Sequence, residues 1–369
     1  MVSEGAASRH QFHVLRVRAV QSLTRDAIAV SFDVPPEAGA AFRYEQGQYL
    51  TLRAQIGGEE VRRSYSICSA VQQQQLRVAI KRVAGGVFSN WAAEHLKPGA
   101  LIEAMVPQGS FFVPLDATAR RHLLAVACGS GITPVLSLIE STLLAEPHSN
   151  VTLVYGNRSS GSVMFKEEIE DLKDRYLGRL NLVWIMSRES QDIDLFHGRI
   201  DYDKCMQLFR QWIDPNGIDL AFICGPQDMM HATMRSLQDS GVPAAQVRTE
   251  LFGTAAPGAD VRAPRQAVQG SDLCEVQVVM DGTRRSFTMH KNRDNVVDAG
   301  LLAGLEMPYA CKSGVCSTCR GLVTEGEVDM DINFALEDYE VARGFVLCCQ
   351  SYPVTDTLVI DFDRDHAHS

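Results

Sequence analysis

Cys311-Lys312-Ser313-Gly314-Val315-Cys316-Ser317-Thr318-Cys319, answered later by Cys348-Cys349-Gln350, decides how the last quarter of the chain folds. The spacing matches the C-x4-C-x2-C…C ligand pattern of one class of [2Fe–2S] centre. Two bridged irons require four thiolates: three on one tight loop and a distant fourth from a later strand. Gly314 lets the loop backbone approach the sulfides without a Cβ in the way. Zinc sites favour paired short-spaced Cys or His ligands, and no His lies near these four. No Cys-x-His pair is present, which removes the mixed Cys/His type of [2Fe–2S] centre. Cys348 and Cys349 are adjacent, and alternation along a strand turns neighbours to opposite faces, so only one of them ligates.

Working outward, composition agrees with a multidomain protein that keeps its thiols reduced. The 369 residues carry 45 acidic and 35 basic side chains, a formal charge of −10, with 46% hydrophobic residues. That length suggests two or three domains. The acidic balance argues against nucleic acid as the main partner. Ten cysteines in so long a chain do not make a secreted disulfide scaffold. The segment 1–10 has no apolar stretch and no membrane-length apolar run follows, so a cytoplasmic location is expected. From Ser271 to Ser369 there are 17 Asp/Glu and 8 Lys/Arg, so a net −9 sits in the last quarter.

Three rhythms divide the chain. Residues 8–115 read as short alternating strands broken by Gly57-Gly58 and Gly85-Gly86, with one brief helix at Ser89–Leu96; this predicts an antiparallel β-barrel. Residues 118–253 alternate apolar strands (His122–Cys128, Val151–Tyr155, Leu182–Met186, Leu220–Cys224) with helical patterns, which predicts an α/β domain on a parallel sheet. Residues 254–270, rich in Ala, Pro and Gly, read as a linker. Residues 271–369 hold the cysteine cluster and open with a hairpin turning at Asp281-Gly282.

Ligand segments sit at the strand ends of the first two regions. In Arg63-Ser64-Tyr65-Ser66 the Arg suits a phosphate and the Tyr ring a planar cofactor. Gly85-Gly86-Val87-Phe88-Ser89 is a turn running into a helix, with Ser89 expected as its N-cap and the helix amides facing an anion. Cys128-Gly129-Ser130-Gly131-Ile132-Thr133-Pro134 joins a strand to a helix whose start can cradle a pyrophosphate. Tyr155-Gly156-Asn157-Arg158 and Ser187-Arg188 end the next two strands. Arginines there either favour the 2′-phosphate of NADPH or are simply solvated. Cys224-Gly225-Pro226 ends the fourth strand in the same layer.

Taken in order, these segments resemble the ferredoxin–NADP reductase superfamily. Arg63, Tyr65 and Ser66 match its flavin motif R-x-Y-S. Gly86, Val87 and Ser89 match its G-x-x-S, and Gly129, Gly131 and Thr133 its nucleotide loop. Cys224-Gly225-Pro226 matches its C-G-P, Glu250-Leu251-Phe252 its closing acidic segment, and Ser187-Arg188-Glu189 the S-R-E of NADP-specific members. The C-terminal region is similar to a plant-type ferredoxin, which implies a β-grasp fold. Gly86-Val87-Phe88-Ser89-Asn90-Trp91, Met164-Phe165-Lys166-Glu167-Glu168, Asp329-Met330-Asp331 and Ala335-Leu336-Glu337-Asp338 resemble the reductase subunits of phenylacetyl-CoA epoxidases. That resemblance implies FAD, and it selects Cys349 beside Cys311, Cys316 and Cys319 as the fourth cluster ligand. A Thr is more usual in the family at position 348.

The resemblance further implies an electron route from NADPH through FAD and [2Fe–2S] to the diiron oxygenase of a multicomponent monooxygenase. In it Arg63, Ser64, Tyr65, Ser66, Gly86, Val87 and Ser89 hold the flavin, Gly129, Gly131 and Thr133 the dinucleotide, and Ser187 and Arg188 the 2′-phosphate. Cys224 and Glu250 shape the site of hydride transfer. The acidic ferredoxin region is expected to dock on a basic patch of the oxygenase. Reductases of aromatic-ring or alkane hydroxylases share this domain order, and a [2Fe–2S] redox sensor is the alternative from another class.

Overall fold

The computed structural model describes residues 11–253, 271–291 and 293–364. The expected linker 254–270 therefore lies outside the described residues. The described residues divide into two compact units: 14–61 with 65–252, and 11–13 with 62–64, 253, 271–291 and 293–364.

Short alternating segments build the first sheet: β1 (Phe12–Thr24), β2 (Ala27–Asp33), β3 (Tyr49–Ile56), β4 (Glu59–Ser66), β5 (Leu76–Lys81), helix α1 (Val87–His95) and β6 (Leu101–Met105). The strand order is β4-β3-β6-β1-β2-β5. An antiparallel bridge from Ile67 to Val78 joins the outer strands, so the sheet closes into the expected barrel. Leu50, Leu52, Ile67, Val78, Ile80 and Phe88 fill its interior. The helix begins at Val87 with Gly86 as N-cap. The expectation that Ser89 caps it is therefore corrected: Ser89 lies inside the first turn. Its hydroxyl instead accepts the Val83 N–H at 3.1 Å, tying the helix back to the turn before it.

Next come β7 (His122–Cys128), α2 (Ile132–Ala145), β8 (Asn150–Asn157), α3 (Lys166–Arg175), β9 (Leu180–Met186), α4 (Tyr202–Gln211), β10 (Leu220–Gly225), α5 (Gln227–Asp239) and β11 (Val247–Leu251). All neighbouring strands pair in parallel, in the order β11-β10-β7-β8-β9. The chain leaves β7 in one direction and returns on its other side, so the switch point lies between β7 and β10. Eleven side chains of α2 are buried. The helix meets the sheet on one side and barrel residues on the other: Ser137 Oγ donates to Ser69 O at 2.7 Å, and Val71 N–H to Ser141 Oγ at 3.1 Å. Ala27, Ala29, Cys68 and Ala79 of the barrel share one core with Leu136, Ile139 and Phe222. Arg77 adds a two-pronged ion pair to Glu168, both contacts 2.8 Å, and lies over the Phe165 ring.

The last region comprises β12 (Leu273–Met280), β13 (Thr283–His290), α6 (Val296–Leu302), β14 (Arg320–Glu325), β15 (Val328–Met330), α7 (Asp338–Ala342), β16 (Phe345–Leu347), β17 (Ser351–Pro353) and β18 (Thr357–Asp361). The β12–β13 hairpin turns at Asp281 and Gly282, φ 51° and 70°, as the Asp-Gly pair predicts. The sheet runs β13-β12-β18-β14-β16, with β12 and β18 parallel and α6 closing its core through Val296, Val297 and Ala299. This is the β-grasp arrangement.

Candidate functional site

Three strand ends and one loop form the nucleotide crevice. Gly129 takes φ +57°, a left-handed conformation open to glycine at no cost, and the Tyr155 hydroxyl donates to its carbonyl at 2.9 Å. Gly131 has an ordinary φ, but it lies directly on the Cys224 carbonyl and a Cβ there would collide with that backbone. The α2 N-terminus is thereby pressed to the switch point between β7 and β10. Thr133 Oγ1 donates to Ser130 O at 3.0 Å and steadies the loop. The helix amides at such a switch point form an anion site that suits a pyrophosphate. Tyr155, which supports the glycine loop, had no motif to flag it; its position before Gly156 in an apolar strand reads as core.

Beyond this loop, the Ser187 N–H donates to Asn157 O at 2.9 Å and the Arg188 N–H to Arg158 O at 2.8 Å. The ends of β8 and β9 thus carry two backbone-paired arginines. Both are exposed, and neither makes an ion pair among the described residues. Glu189 accepts from the Ser160 N–H and hydroxyl at 2.7 and 3.0 Å.

At the other edge of the crevice Cys224 pairs in register with Glu250. Ser66, the last residue of β4, donates its hydroxyl hydrogen to Glu250 Oε2 at 3.1 Å. Burial pushes the Glu250 carboxyl up to about 8, against the pull of Ser66. Burial, with Glu250 beside it, holds the Cys224 thiol well above its ordinary range, so it stays protonated. One residue back from Ser66, Tyr65 packs on Phe88 of α1 with ring centres 5.7 Å apart. A Cβ on Gly86 would come within 2.7 Å of Ser89 Oγ, which is why a glycine opens this helix. Arg63 and Ser64 lie on the same strand, β4, and Arg63 Nη1 donates to Arg62 O at 2.6 Å.

In the last region the four sequence-selected cysteines meet. Cys316 Sγ donates to Cys311 Sγ at 3.1 Å, and Cys349 hydrogen-bonds to both Cys311 and Cys319. Those donors hold the Cys311 thiol far below its ordinary value, while Cys316 and Cys349 are raised by donating and by burial. The Ser313 N–H points at Cys311 Sγ at 3.4 Å, and the Ser313 side chain also hydrogen-bonds to Cys311. Four convergent thiols, with an amide and a hydroxyl of Ser313 aimed at one sulfur, are a donor set suited to an iron–sulfur cluster. Cys349 does not sit on a strand: β16 ends at Leu347, and Cys348–Gln350 form a 3-10 turn. The turn still separates the two thiols. Cys349 faces the other ligands, while Cys348 Sγ packs 3.4 Å from where a Gly321 Cβ would stand. Of the remaining cysteines Cys68, Cys205, Cys224 and Cys274 are buried, and Cys128, at the end of β7, is only half-buried.

Comparison with known proteins agrees with each region in turn. The oxidoreductase FAD-binding domain family matches residues 14–113, the oxidoreductase NAD-binding domain family 125–235, and the 2Fe-2S iron-sulfur cluster binding domain family 278–354. Over 352 residues the chain is 45% identical to a subunit of the 1,2-phenylacetyl-CoA epoxidase of Escherichia coli (strain K12), covering 95% of this chain and 98% of the relative. The chain belongs to the reductase components of multicomponent oxygenases. A second relative, the ferredoxin reductase component of 3-ketosteroid-9-alpha-monooxygenase from Rhodococcus rhodochrous, is 33% identical over 95% of this chain and 96% of its own length. The solved structure of phthalate dioxygenase reductase superposes with a TM-score of 0.57 at 25% identity, covering 95% of this chain and 98% of that one. This family member is thus an oxidoreductase with FAD-binding, NAD-binding and [2Fe–2S] domains that serves an oxygenase. No helix among its described residues is long and apolar enough to cross a membrane.

Proposed function

We propose that this reductase oxidises NADPH in the cytoplasm and supplies electrons to a diiron oxygenase that epoxidises phenylacetyl-CoA. The observation that carries the reading is the 45% identity to the E. coli epoxidase component along nearly both full chains. Bound FAD would supply the chemistry that converts a hydride's electron pair into single electrons for a [2Fe–2S] centre. Around them this chain's residues position and tune. Arg63, Ser64, Tyr65, Ser66, Gly86, Val87 and Ser89 hold the flavin, and Gly129, Gly131 and Thr133 the dinucleotide. Cys311, Cys316, Cys319 and Cys349 bind the cluster. Cys224 and Glu250 line the hydride-transfer site. The boundaries 8–115, 118–253 and 271–369 delimit the three domains.

NADPH rather than NADH is favoured by Ser187 and Arg188, an exposed arginine whose backbone is paired to that of Arg158, with no acidic partner among the described residues to neutralise it. The test is a reconstituted assay: NADPH, this protein and the phenylacetyl-CoA oxygenase. Epoxide formation coupled to NADPH oxidation is expected. A second reading, service to a steroid or other ring oxygenase, is favoured by the 33% relative. Turnover with such an oxygenase, and none with the phenylacetyl-CoA enzyme, would replace the first reading.

A further inference from the structure

The two halves of the cysteine set lie far apart in the chain, and one side chain joins them. Gln350 follows Cys349 in the 3-10 turn and is half-buried. Its Nε2 donates across 38 positions to Lys312 O at 3.2 Å, inside the loop carrying Cys311 and Cys316. The same nitrogen lies 3.0 Å from Cys349 O and 3.8 Å from Cys349 Sγ. Its stem packs on the loop as well: a Cβ on Gly314 would stand 3.2 Å from Gln350 Cγ. The two nearer partners are carbonyls, which only accept, so the amide turns its nitrogen and not its oxygen to them. Two amide hydrogens serve these three acceptors, and one hydrogen is therefore shared.

The carbonyl it holds belongs to a residue in an unusual conformation. Lys312 has φ +53°, in the left-handed region that residues with a Cβ seldom enter. Such a conformation persists where the surroundings over-determine it. Lys312 Nζ pairs with Asp298 Oδ1 at 2.7 Å and lies 4.5 Å from the centre of the Tyr309 ring, while Gln350 takes the carbonyl. The next N–H along the chain, that of Ser313, faces Cys311 Sγ. Cys311 thus draws a backbone donor from its own loop, and Cys349 a side-chain donor from Gln350.

We propose that Gln350 is a positioning residue for the [2Fe–2S] centre: its amide fastens the fourth-ligand turn to the ligand loop and sets the reduction potential of the centre through Cys349 Sγ. The proposal rests on the reading that Cys349 is a ligand. Iron takes the place of the thiol hydrogens, so a ligating sulfur only accepts. Reduction adds one electron, drawn from the flavin, and negative charge grows on the ligand sulfurs. A neutral N–H aimed at one of them stabilises the reduced state more than the oxidised one and raises the potential. Because this donor belongs to a side chain, a substitution removes it without touching the backbone donor on Cys311.

The test is a reductive titration of the full chain with its cofactors, run anaerobically with dithionite and mediator dyes. Low-temperature electron paramagnetic resonance reads the cluster, and visible absorbance reads the flavin. Gln350→Leu should lower the equilibrium constant for cluster reduction about threefold or more, which is ~28 mV for one electron, and leave the flavin midpoint in place. Iron loss to a chelator, measured on the same samples, should quicken about tenfold or more. A smaller change in the cluster midpoint overturns the proposal, whether or not iron is lost faster, because a merely structural fastening would not move the potential. Should the variant fail to assemble a cluster, the parent protein decides. Glutamine labelled at Nε2 with the heavy nitrogen isotope should then give a resolved nitrogen coupling to the reduced cluster, and its absence overturns the proposal. Cys349→Ser tests the underlying reading separately. Full iron content and the parent resonance in that variant would remove Cys349 as a ligand. A cluster lost there, beside an unmoved midpoint in Gln350→Leu, removes Gln350 alone.

Discussion

Ser66 Oγ donates to Glu250 Oε2 across 3.1 Å, tying the end of a barrel strand to the last strand of the nucleotide sheet at the point where Cys224 lies beside Glu250. The two residues are 184 positions apart, and each belongs to a different motif. Burial raises this carboxyl to about 8, and the Ser66 hydroxyl is the donor that pulls against it.

That titration has a sign. Glu250 is raised to about 8 in the folded chain, so between its ordinary carboxylate value and 8 it is protonated when folded and ionised when unfolded. Its contribution to stability is therefore complete at low pH and is lost as pH rises through that window. Thermal unfolding measured at about pH 5 and about pH 8.5 should show a larger loss for the parent than for Glu250→Gln, which cannot ionise. Equal losses would mean that Glu250 does not carry this titration. Ser66→Ala removes the donor and should move the Glu250-dependent limb to higher pH.

Gly131→Ala puts a methyl group against the Cys224 carbonyl. Backbone rather than a flexible side chain meets it, so the α2 N-terminus must shift away from the switch point. A misplacement of about 1 Å in a positioning element can cost up to about a hundredfold, and a rise of at least about tenfold in KM for the nicotinamide nucleotide is expected. An unchanged KM would show that the loop does not hold the pyrophosphate.

Arg188→Ala should weaken NADPH by about tenfold or more and NADH little, because a guanidinium–phosphate pair is charge-assisted and NADH lacks that phosphate. Comparing kcat/KM for the two nucleotides checks this. Equal effects on both would assign Arg188 to solvation.

Gly314→Ala forces a Cβ onto a residue at φ +74° and into Ile332 O. Each such backbone strain costs about 1–3 kcal/mol. Iron content per chain should fall while flavin content is kept, as measured on the purified protein. Full iron retention would show that the loop tolerates the methyl group.

What could be read along the chain follows from how local each signal is. Cys311, Cys316 and Cys319 lie on one loop, so their spacing alone names the chemistry. Fixed local offsets likewise expose the Asp281-Gly282 hairpin and the strand–glycine–helix of residues 122–145. Ser89 misleads because a Ser before an apolar run reads as a cap, whereas Gly86, two residues before Phe88, already takes the extended conformation that starts the helix. Cys348 and Cys349 follow a three-residue strand, too short to show alternation, and fall in a 3-10 turn that leaves no periodic trace. The Ser66–Glu250 pair, the Tyr155 support under Gly129 and the Phe334 N–H bond to the Gly314 carbonyl are tertiary. They join segments whose separation along the chain carries no pattern, so only the fold shows them.

The central claim is that one chain carries electrons from nicotinamide nucleotide through its flavin to the cysteine-held cluster. An anaerobic titration with NADPH, followed by visible absorbance and low-temperature electron paramagnetic resonance, tests it most directly, with Cys316→Ser alongside. The account predicts that in the parent protein the flavin band bleaches and a reduced-cluster resonance appears, while Cys316→Ser bleaches its flavin and gives no such resonance. A parent protein whose flavin is fully reduced while its cluster stays oxidised would contradict it.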